Sequence, residues 1–389
     1  MSKIAGHALL GCVILLLGLS IVMLVSTGMW VRDYQGDAFA IVQRQLLWIG
    51  LGAMAGAMAL RIPMDWLQRL APWIYGAGCV LLALCFVEGV GKEINGSYRW
   101  IELGKLGLSG VRLQPSEFAR LAVVIALAAW YMRVGERSRS FFQGFLIPLL
   151  LVTVPVALIG AEVDIGTAAL VGLACFCLMF VAGANLPALV VTVLAGLGAV
   201  YGVIRFIPNR AARFTDFFEI WRDPMSQMNE TGMQQIRAMM AFANGSTTGV
   251  GLGEGQQKMS RLPYAHTDFV FPIIGEELGL VATLSVVVCY ALMLVFGMFI
   301  ALHAATRFGR LVGVGCVVLI AFQATLNIAV TTACLPNKGL PLPLVSYGGS
   351  NLLFCLVGVG LLLNLHRTAV YPEVLRPAGM PRRRVTPRV

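Results

Sequence analysis

The chain has 389 residues, of which 58% are hydrophobic and only 12% are charged, and its mean hydropathy is +0.81. A soluble domain carries about 25% charged residues, so this composition excludes an ordinary soluble enzyme and indicates a protein built to lie in a bilayer. The formal net charge is +10. Many of the Lys and Arg residues occupy short segments between apolar runs or the C-terminal tail, which is typical of membrane topology rather than of nucleic-acid binding.

Apolar runs of on the order of 20 residues, the length that crosses a bilayer, recur from end to end. They lie at approximately 8–27, 44–60, 71–88, 117–134, 143–161, 167–184, 187–207, 269–302, 308–332 and 348–366. The first run is longer than the apolar core of a cleaved signal peptide, about 7–15 residues, and is predicted to be the first span. The sequence therefore predicts an all-α fold, a polytopic transmembrane helix bundle of about ten spans over residues 1–368, followed by a basic tail at 369–389.

The run 269–302 is long for a single crossing. A span longer than the hydrocarbon thickness tilts or kinks, and proline, here Pro272 near the start, is a common cause of bending. We therefore expect this helix to be tilted or kinked.

The basic residues between the spans predict the orientation of the bundle. The positive-inside rule assigns the cytoplasm to the side with most of them, and both termini fall on that side. The basic segments on it are 61–70, 131–142, 303–310 and the tail. The connection 89–116 and a large extracytoplasmic loop between spans 7 and 8, residues 208–268, then face outward. The first of these also carries Lys92, Arg99, Lys105 and Arg112, which indicates that an anionic ligand is handled outside.

Cysteine and histidine give no sign of a metal site. The nine cysteines are scattered singly, mostly inside apolar runs, and the four histidines show no pair at ligand spacing. Cysteine here is best interpreted as a small hydrophobe, with only Cys334 expected near a surface. The glycine-rich run 249–255 superficially fits a dinucleotide fingerprint, but that fingerprint needs a βαβ unit, so a turn is the better interpretation.

Ionisable side chains within or beside the apolar runs are the candidate functional residues, because each is costly in hydrocarbon and must face protein or water. Glu117 and Arg120 begin the fourth run, three residues apart on one helix face, so a mutual ion pair and a substrate-facing role are both open. Glu162 and Asp164 follow the fifth run. Helix capping by Asp164 or Thr167 competes there with a functional role.

A further group of carboxylates lies around the start of the eighth run. Asp268, Glu276 and Glu277 fall within about ten residues at a membrane boundary, and capping would need only Asp268. A carboxylate in this low-dielectric setting resists ionisation and is suited to proton exchange with a substrate. The sequence therefore predicts a general base near the outer surface.

Lys338 precedes the tenth run, in a segment that proline and glycine keep from being regular helix. Irregular backbone at membrane depth is tolerated only where protein or water surrounds it. A cation beside broken backbone suits a phosphate or pyrophosphate group, and the alternative is snorkelling of the lysine to the interface.

Several motifs together resemble one known family. They are Leu-Gln-Pro-Ser-Glu-Phe-Ala-Arg (113–120), Asp-Ile-Gly-Thr-Ala (164–168), Gly-Val-Gly-Leu-Gly (249–253), Ala-His-Thr-Asp-Phe-Val-Phe (265–271), Ile-Gly-Glu-Glu-Leu-Gly (274–279) and Lys-Gly-Leu-Pro-Leu-Pro-Leu-Val-Ser-Tyr-Gly-Gly-Ser (338–350). In this order they resemble the SEDS family (shape, elongation, division and sporulation), over about residues 8–368. Tyr-Ala-His-Thr-Asp-Phe, Ile-Ile-Gly-Glu-Glu-Leu-Gly and Asn-Lys-Gly look more like the division-type FtsW branch than the elongation-type RodA branch.

The resemblance implies ten transmembrane helices and a peptidoglycan glycosyltransferase of the cytoplasmic (inner) membrane, which polymerises lipid II on the outer face in septal wall synthesis. It places the catalytic aspartate at Asp268 and matches further family positions to Lys338, Glu117 and the loop pair Arg210 and Arg213. Glu276 and Asp164 complete the predicted substrate-binding set.

Two positions depart from the family pattern. Ser260 stands where an acidic residue is common, and Ile220 stands where proline usually precedes the tryptophan. The first departure puts in doubt any mechanism that needs two loop carboxylates, and the second concerns only the shape of the loop.

The resemblance also implies the reaction. The 4-hydroxyl of an acceptor N-acetylglucosamine attacks the anomeric carbon of a lipid-pyrophosphate-linked N-acetylmuramic acid with inversion. Asp268 is the expected base, and Lys338, Arg210 and Arg213 are the expected charges for the leaving pyrophosphate. A divalent cation, Mg²⁺ or Mn²⁺, is a further candidate at the pyrophosphate, although the sequence contains no dedicated cage for it.

The expected partners are a class B penicillin-binding protein, which is a transpeptidase, and other division proteins, both by analogy with the family. Two alternatives remain open. A lipid II flippase would need ionisable residues through the whole bilayer depth, whereas here they concentrate toward the predicted outer face. A non-enzymatic division scaffold would not need carboxylates clustered beside broken helices.

Overall fold

The computed structural model describes residues 2–28, 38–87, 90–94, 97–102, 112–206, 217–224, 232–259, 262 and 264–370. Helices dominate these ranges, as predicted. They are α1 Ser2–Gly28, α2 Ala38–Ala59, α3 Met64–Leu84, α4 Pro115–Val134, α5 Ile147–Ala161, α6 Ile165–Val181, α7 Leu186–Phe206, α8 Met233–Gly245, α9 Val270–Leu302, α10 Arg307–Thr331 and α11 Gly349–Val370. Each predicted apolar run coincides with one long helix, and α8 is an additional short helix in the large loop.

The helices have the length and composition of membrane spans. Within the described residues, 7 of them are long and apolar enough to cross a bilayer, and α6 and the first part of α7 are shorter apolar helices. In lipid, a helix satisfies all its backbone hydrogen bonds internally, which is why apolar runs of this kind fold as helices. The chain is a multi-pass membrane protein.

Local sequence determines where several of these helices begin. Pro115 occupies the first turn of α4, where a missing N–H costs no hydrogen bond. The Asp164 side chain accepts a hydrogen bond from the Thr167 amide at the start of α6 (3.1 Å), and Thr306 does the same for the Gly309 amide at the start of α10 (3.0 Å). The predicted capping role of Asp164 is therefore confirmed.

Two helices, α4 and α10, form the centre of the bundle. Protein buries 67% of the most apolar window of α4 and 72% of that of α10, against 22% for α3. The buried polar side chains in the interior of the bundle, Glu117 and Arg120 on α4 and Gln323 and Asn327 on α10, are consequently enclosed by protein rather than exposed to lipid.

One end of the bundle collects the buried polar residues, and we call it the polar end. It joins the end of α1 to the start of α9 through Ser26 and Glu277, and the start of α4 to the start of α11 through Glu117 and Asn351. The predicted outer side corresponds to this end, because the connections 89–116 and 208–268 both leave from it.

The opposite end is held together by donors to helix carbonyls. The Arg307 guanidinium donates to the Gly135 and Ala182 carbonyls, at 3.2 and 3.1 Å, where α4 and α6 end. A cation at helix C-termini is favoured by the helix dipole. The Asn364 carboxamide on α11 donates to the Ala59 and Ile62 carbonyls, at 2.9 and 2.7 Å, and fixes the end of α2.

A small antiparallel sheet lies in the connection between α3 and α4 and was not predicted. Its strands are β1 Gly91–Ile94, β2 Ser97–Glu102 and β3 Arg112–Leu113, in the order β1-β2-β3. On β2, Ser97 and Ile101 are buried while Tyr98 and Glu102 are exposed, as expected for a strand with one face on the protein. The sheet places Arg99 at the polar end.

Helix α9 is kinked, as its length predicts, but the kink is at Gly279 rather than at Pro272. Gly279 has φ 78° and ψ −173°, which are not helical angles. Pro272 lies in the first turn, where its ring does not break a hydrogen bond. The glycine-rich run packs against the kink, and the Val250 and Gly251 amides donate to the Glu276 and Glu277 carbonyls at 2.9 and 3.1 Å. This run is a turn, as interpreted from the sequence.

Candidate active site

Asp268 lies in the connection immediately before α9. Its backbone carbonyl accepts a hydrogen bond of 2.8 Å from the Asn327 carboxamide of α10, and the next two residues, Phe269 and Val270, are buried. The side chain itself keeps some exposed surface although protein surrounds it on most sides. Asp268 is therefore a partly exposed residue that adjoins the buried start of α9.

The irregular segment 332–348, between α10 and α11, passes directly over the Asp268 carboxylate. A Cβ atom at Gly339 would lie only 2.6 Å from Asp268 Oδ2, so a side chain larger than hydrogen would collide with the carboxylate. The Leu340 amide donates to the Lys338 carbonyl at 2.9 Å, which makes a tight turn with Gly339 at its centre. The residue that follows Lys338 in the chain is therefore in contact with Asp268, although the two positions are widely separated in the sequence.

Further hydrogen bonds tie this segment to the residues just before α9. The Tyr347 amide donates to the His266 carbonyl at 2.9 Å, and the Ser346 hydroxyl donates to the Thr267 carbonyl. The same hydroxyl accepts from the Leu342 amide at 2.8 Å. Backbone that is irregular at this depth is thus satisfied by protein, as predicted for the segment around Lys338.

Asp164 and Arg99 set the electrostatic environment of Asp268. Arg99 Nη1 lies 3.7 Å from Asp164 Oδ2, and Arg99 Nη2 donates to the Val163 carbonyl at 3.3 Å. Burial and, secondarily, the negative charge of Asp164 raise the pKa of Asp268 to about 7, and the charge of Arg99 opposes that rise. A general base works best when its pKa lies near the working pH.

Glu117 and Arg120 form the ion pair that their spacing predicts, and both side chains are buried. The pair is extended by amides: Asn351 donates to Glu117 Oε2 at 3.1 Å, and Arg120 donates to Gln323 Oε1 at 2.6 Å. A buried pair of this kind requires such additional hydrogen bonds to offset its desolvation. The substrate-facing role of Glu117 remains a prediction.

Glu276 and Glu277 lie elsewhere, against the glycine-rich run. Glu276 accepts from the Asn244 carboxamide at 3.2 Å and from the Gln256 and Gln257 amides at 3.1 Å. Glu277 is paired with Lys258 Nζ at 2.6 Å. The expected cluster of three carboxylates is therefore divided in space. Glu276 holds the loop through these hydrogen bonds, and its substrate contact stays a prediction.

Glu162, predicted together with Asp164, is buried at the end of α5, and neither of its carboxylate oxygens has a hydrogen-bond partner in the described part of the chain. Burial is the largest cause that raises its pKa, to about 8. Arg210 and Arg213, the predicted loop pair, lie outside the described residues.

Three residues at this site were missed by the sequence reasoning. Arg99 was counted only as a charge in a connection, because the sheet that positions it leaves little pattern in so short a strand. Gln323 and Asn327 are uncharged, and only ionisable residues were sought within the spans. Two amides four residues apart in an apolar helix are nevertheless a readable signal, since each must find partners inside the bundle.

The donor set does not fit a resident metal ion. Within the described residues, no three His, Cys, Asp or Glu side chains meet in a way that could hold a cation, and Asp164 is already engaged by Arg99 and by the amide and hydroxyl of Thr167. We therefore derive no chemical step through a protein-held metal.

Comparison with known proteins gives concordant results. The family that unites FtsW, RodA and SpoVE, described as "Cell cycle protein", matches residues 7–371. The probable peptidoglycan glycosyltransferase FtsW of Thioalkalivibrio sulfidiphilus is 39% identical over 370 residues, which cover 94% of this chain and 90% of that protein. Among solved structures, a chain from "Structural coordination of polymerization and crosslinking by a peptidoglycan synthase complex" matches with a TM-score of 0.74 and 28% identity, covering 92% of this chain and 98% of that one. The rod shape determining protein RodA of Thermus thermophilus matches with a TM-score of 0.68 and 28% identity, covering 93% and 96%.

Proposed function

The chain belongs to the FtsW, RodA and SpoVE family, and from that premise we propose that it is a peptidoglycan glycosyltransferase that polymerises lipid II at the outer face of the cytoplasmic membrane. The observation that carries this proposal is the position of Asp268. Its carboxylate lies against the Gly339 turn, which follows Lys338 in the chain, and burial raises its pKa to about 7. Glycosyl transfer from a pyrophosphate donor requires a base and positive charge, and the backbone contact at Gly339 joins the segments that carry Asp268 and Lys338.

The proposed reaction inverts the configuration at the anomeric carbon of the donor sugar. Asp268 takes the proton of the acceptor 4-hydroxyl, and that oxygen forms a bond to the anomeric carbon of the donor N-acetylmuramic acid. The bond from the anomeric carbon to the pyrophosphate oxygen breaks, and undecaprenyl pyrophosphate leaves with the electron pair. Lys338 neutralises the charge that develops on the leaving group, together with Arg210 and Arg213 of the large loop. Glu117 and Asp164 complete the proposed substrate-binding set, and a divalent cation carried by the pyrophosphate is compatible with it.

The proposed setting is septal wall synthesis, with both termini and the segment 131–142 in the cytoplasm and the polar end outside. The FtsW relative is named a glycosyltransferase, and the structural relative is described as part of a peptidoglycan synthase complex that polymerises and crosslinks. We infer a class B penicillin-binding protein as the partner, because a polymerase product must be crosslinked by a transpeptidase. Other division proteins are further proposed partners.

The arrangement of charges favours a polymerase over a flippase. In the described spans, the buried charged residues lie near the starts of α4 and α9, within the first eight residues of each helix and at the polar end. A translocation path would need polar groups through the bilayer depth. A scaffold would gain nothing from a carboxylate whose pKa burial raises to about 7.

Purified protein supplied with lipid II in detergent, with and without a class B partner, tests the proposal. Glycan polymer should form, and Asp268→Asn should abolish it. Lipid II that crosses vesicle membranes on reconstitution of the protein, with no polymer formed in any condition, would support the flippase instead.

A further inference from the structure

The central helix α10 carries two carboxamides one turn apart that both reach the Lys338 segment. Gln323 Nε2 donates to the Pro341 carbonyl at 2.8 Å, and Asn327 Nδ2 donates to the Leu340 carbonyl at 2.6 Å. Residues four apart on a helix lie on the same face. The irregular segment 332–348 therefore packs against this face of α10 and is hydrogen-bonded to it.

Asn327 does more than Gln323, because its second N–H donates to the Asp268 carbonyl at 2.8 Å. One carboxamide thus holds the residue that carries the proposed base and the turn that follows the proposed cation. Asn327 is only 1% exposed, so neither carbonyl can be satisfied by bulk water if the amide is lost.

The neighbouring groups have no equivalent double contact. Ser346 and Tyr347 join the segment to Thr267 and His266, but they act at its far end, before α11 begins. Among the described residues, Asn327 is the side chain that donates hydrogen bonds both to Asp268 and to the turn at Gly339.

We propose that Asn327 is a positioning residue for glycosyl transfer, which fixes the distance and direction between the Asp268 carboxylate and the Lys338–Gly339–Leu340 turn. The inference rests on the proposed function and adds to it a residue that touches no substrate. Its physical basis is that small displacements of a reacting group are costly, with about 100-fold in rate for a misplacement of about 1 Å.

The protein contains a matched control. Asn364 is also 1% exposed, and its carboxamide also donates to two backbone carbonyls, at 2.9 and 2.7 Å. It lies at the opposite end of the bundle. Asn327→Ala and Asn364→Ala therefore each remove a carboxamide that donates to two backbone carbonyls. Only in Asn327→Ala is one of those carbonyls that of Asp268.

The experiment measures kcat and KM for lipid II polymerisation by the full chain with its partner, normalised to folded protein, together with the thermal midpoint. Both alanine variants should lose similar thermal stability. Asn327→Ala should lower kcat by on the order of 10- to 100-fold with little change in KM, whereas Asn364→Ala should stay within about twofold of the wild type.

Asn327→Ser keeps the result interpretable if the alanine variant does not fold. A hydroxyl has one hydrogen to donate, so it can hold only one of the two carbonyls, and kcat should be intermediate. Wild-type kcat in Asn327→Ala, or an equal loss in the Asn364 control, would overturn the positioning role while leaving the proposed function intact. An inactive wild type would instead contradict the proposed function.

Discussion

Two sets of carboxylates lie near the start of α9, and they differ in how many hydrogen-bond donors surround them. Glu276 and Glu277 are both 1% exposed, and protein groups donate to them: Asn244 and the loop amides to the first, Ser26, Gly253 and Lys258 to the second. The Asp268 carboxylate has a different environment. It lies against Gly339, and no donor among the described residues is directed at its oxygens.

The difference separates a structural carboxylate from a chemical one. A carboxylate whose lone pairs are occupied by fixed donors has no free position to accept a proton from a substrate. A carboxylate left without donors in a buried setting has a raised pKa and an open oxygen. On this basis we propose Asp268 as the base, whereas Glu276 and Glu277 anchor the glycine-rich loop.

The largest effect is expected on activity from Asp268→Asn. Asparagine has nearly the same size, and no helix cap is lost because the N-cap position of α9 is Phe269, but asparagine cannot take a proton. Polymer formation from lipid II should fall by more than about 100-fold. The thermal midpoint should be equal to that of the wild type or higher, because an ionisable group that burial disfavours has been removed.

Breaking the anchor should instead affect stability. Lys258→Met leaves the Glu277 charge buried without its cation, which costs about 3–5 kcal/mol in comparable pairs, and thermal unfolding in detergent should report it. The double variant Lys258→Met/Glu277→Leu should recover most of that loss, since a hydrophobic pair can replace a buried ion pair. No recovery in the double variant would mean that the pair stabilises the loop in another way.

A smaller effect is expected from Glu276→Gln. The glutamine amide would point an N–H at donors such as the Gln257 amide, so stability should fall by about 1–3 kcal/mol. Activity per folded molecule should remain within about threefold of the wild type. A large rise in KM for lipid II with unchanged stability would instead support the substrate contact predicted from the sequence.

The effect expected from Glu162→Gln is on stability and depends on pH. Burial raises the pKa of Glu162 from 4.5 to about 8, so the unfolded chain releases this proton at lower pH than the folded protein does. Wild-type stability should therefore decline as pH rises through that window and level off above it. The variant should lack this part of the decline, so the difference between their thermal midpoints should be greater at pH 8.5 than at pH 5.5. An unchanging difference would contradict the raised pKa.

Much of the fold could be predicted from the sequence, because each span is specified locally by its own apolar run. The capping role of Asp164 could be predicted because it too depends on local sequence. The kink at Gly279 was not, since it depends on backbone from residues 247–249 packing against the helix. The division between Asp268 and Glu276 could not be predicted either, because it is made by donors that the chain brings from residues 244, 256 and 257.

The site could be predicted where charge indicated it and not where neutral amides build it. Asp268 and Lys338 were singled out as candidates because an ionisable side chain at membrane depth is costly and therefore indicates a functional role. Asn327, which joins their two segments, carries no charge, and its partners are backbone carbonyls that no sequence pattern marks.

The pH dependence of kcat/KM for lipid II tests most directly whether Asp268 is the base. Burial, reinforced by Asp164, raises the pKa of Asp268 to about 7, and the base must be deprotonated to act. The rate of the wild type should therefore rise about tenfold per pH unit below that value and level off above it, and Glu276→Gln should show the same profile. A wild-type rate that stays constant down to about pH 5.5 would contradict the assignment, since a base with this pKa would be mostly protonated there.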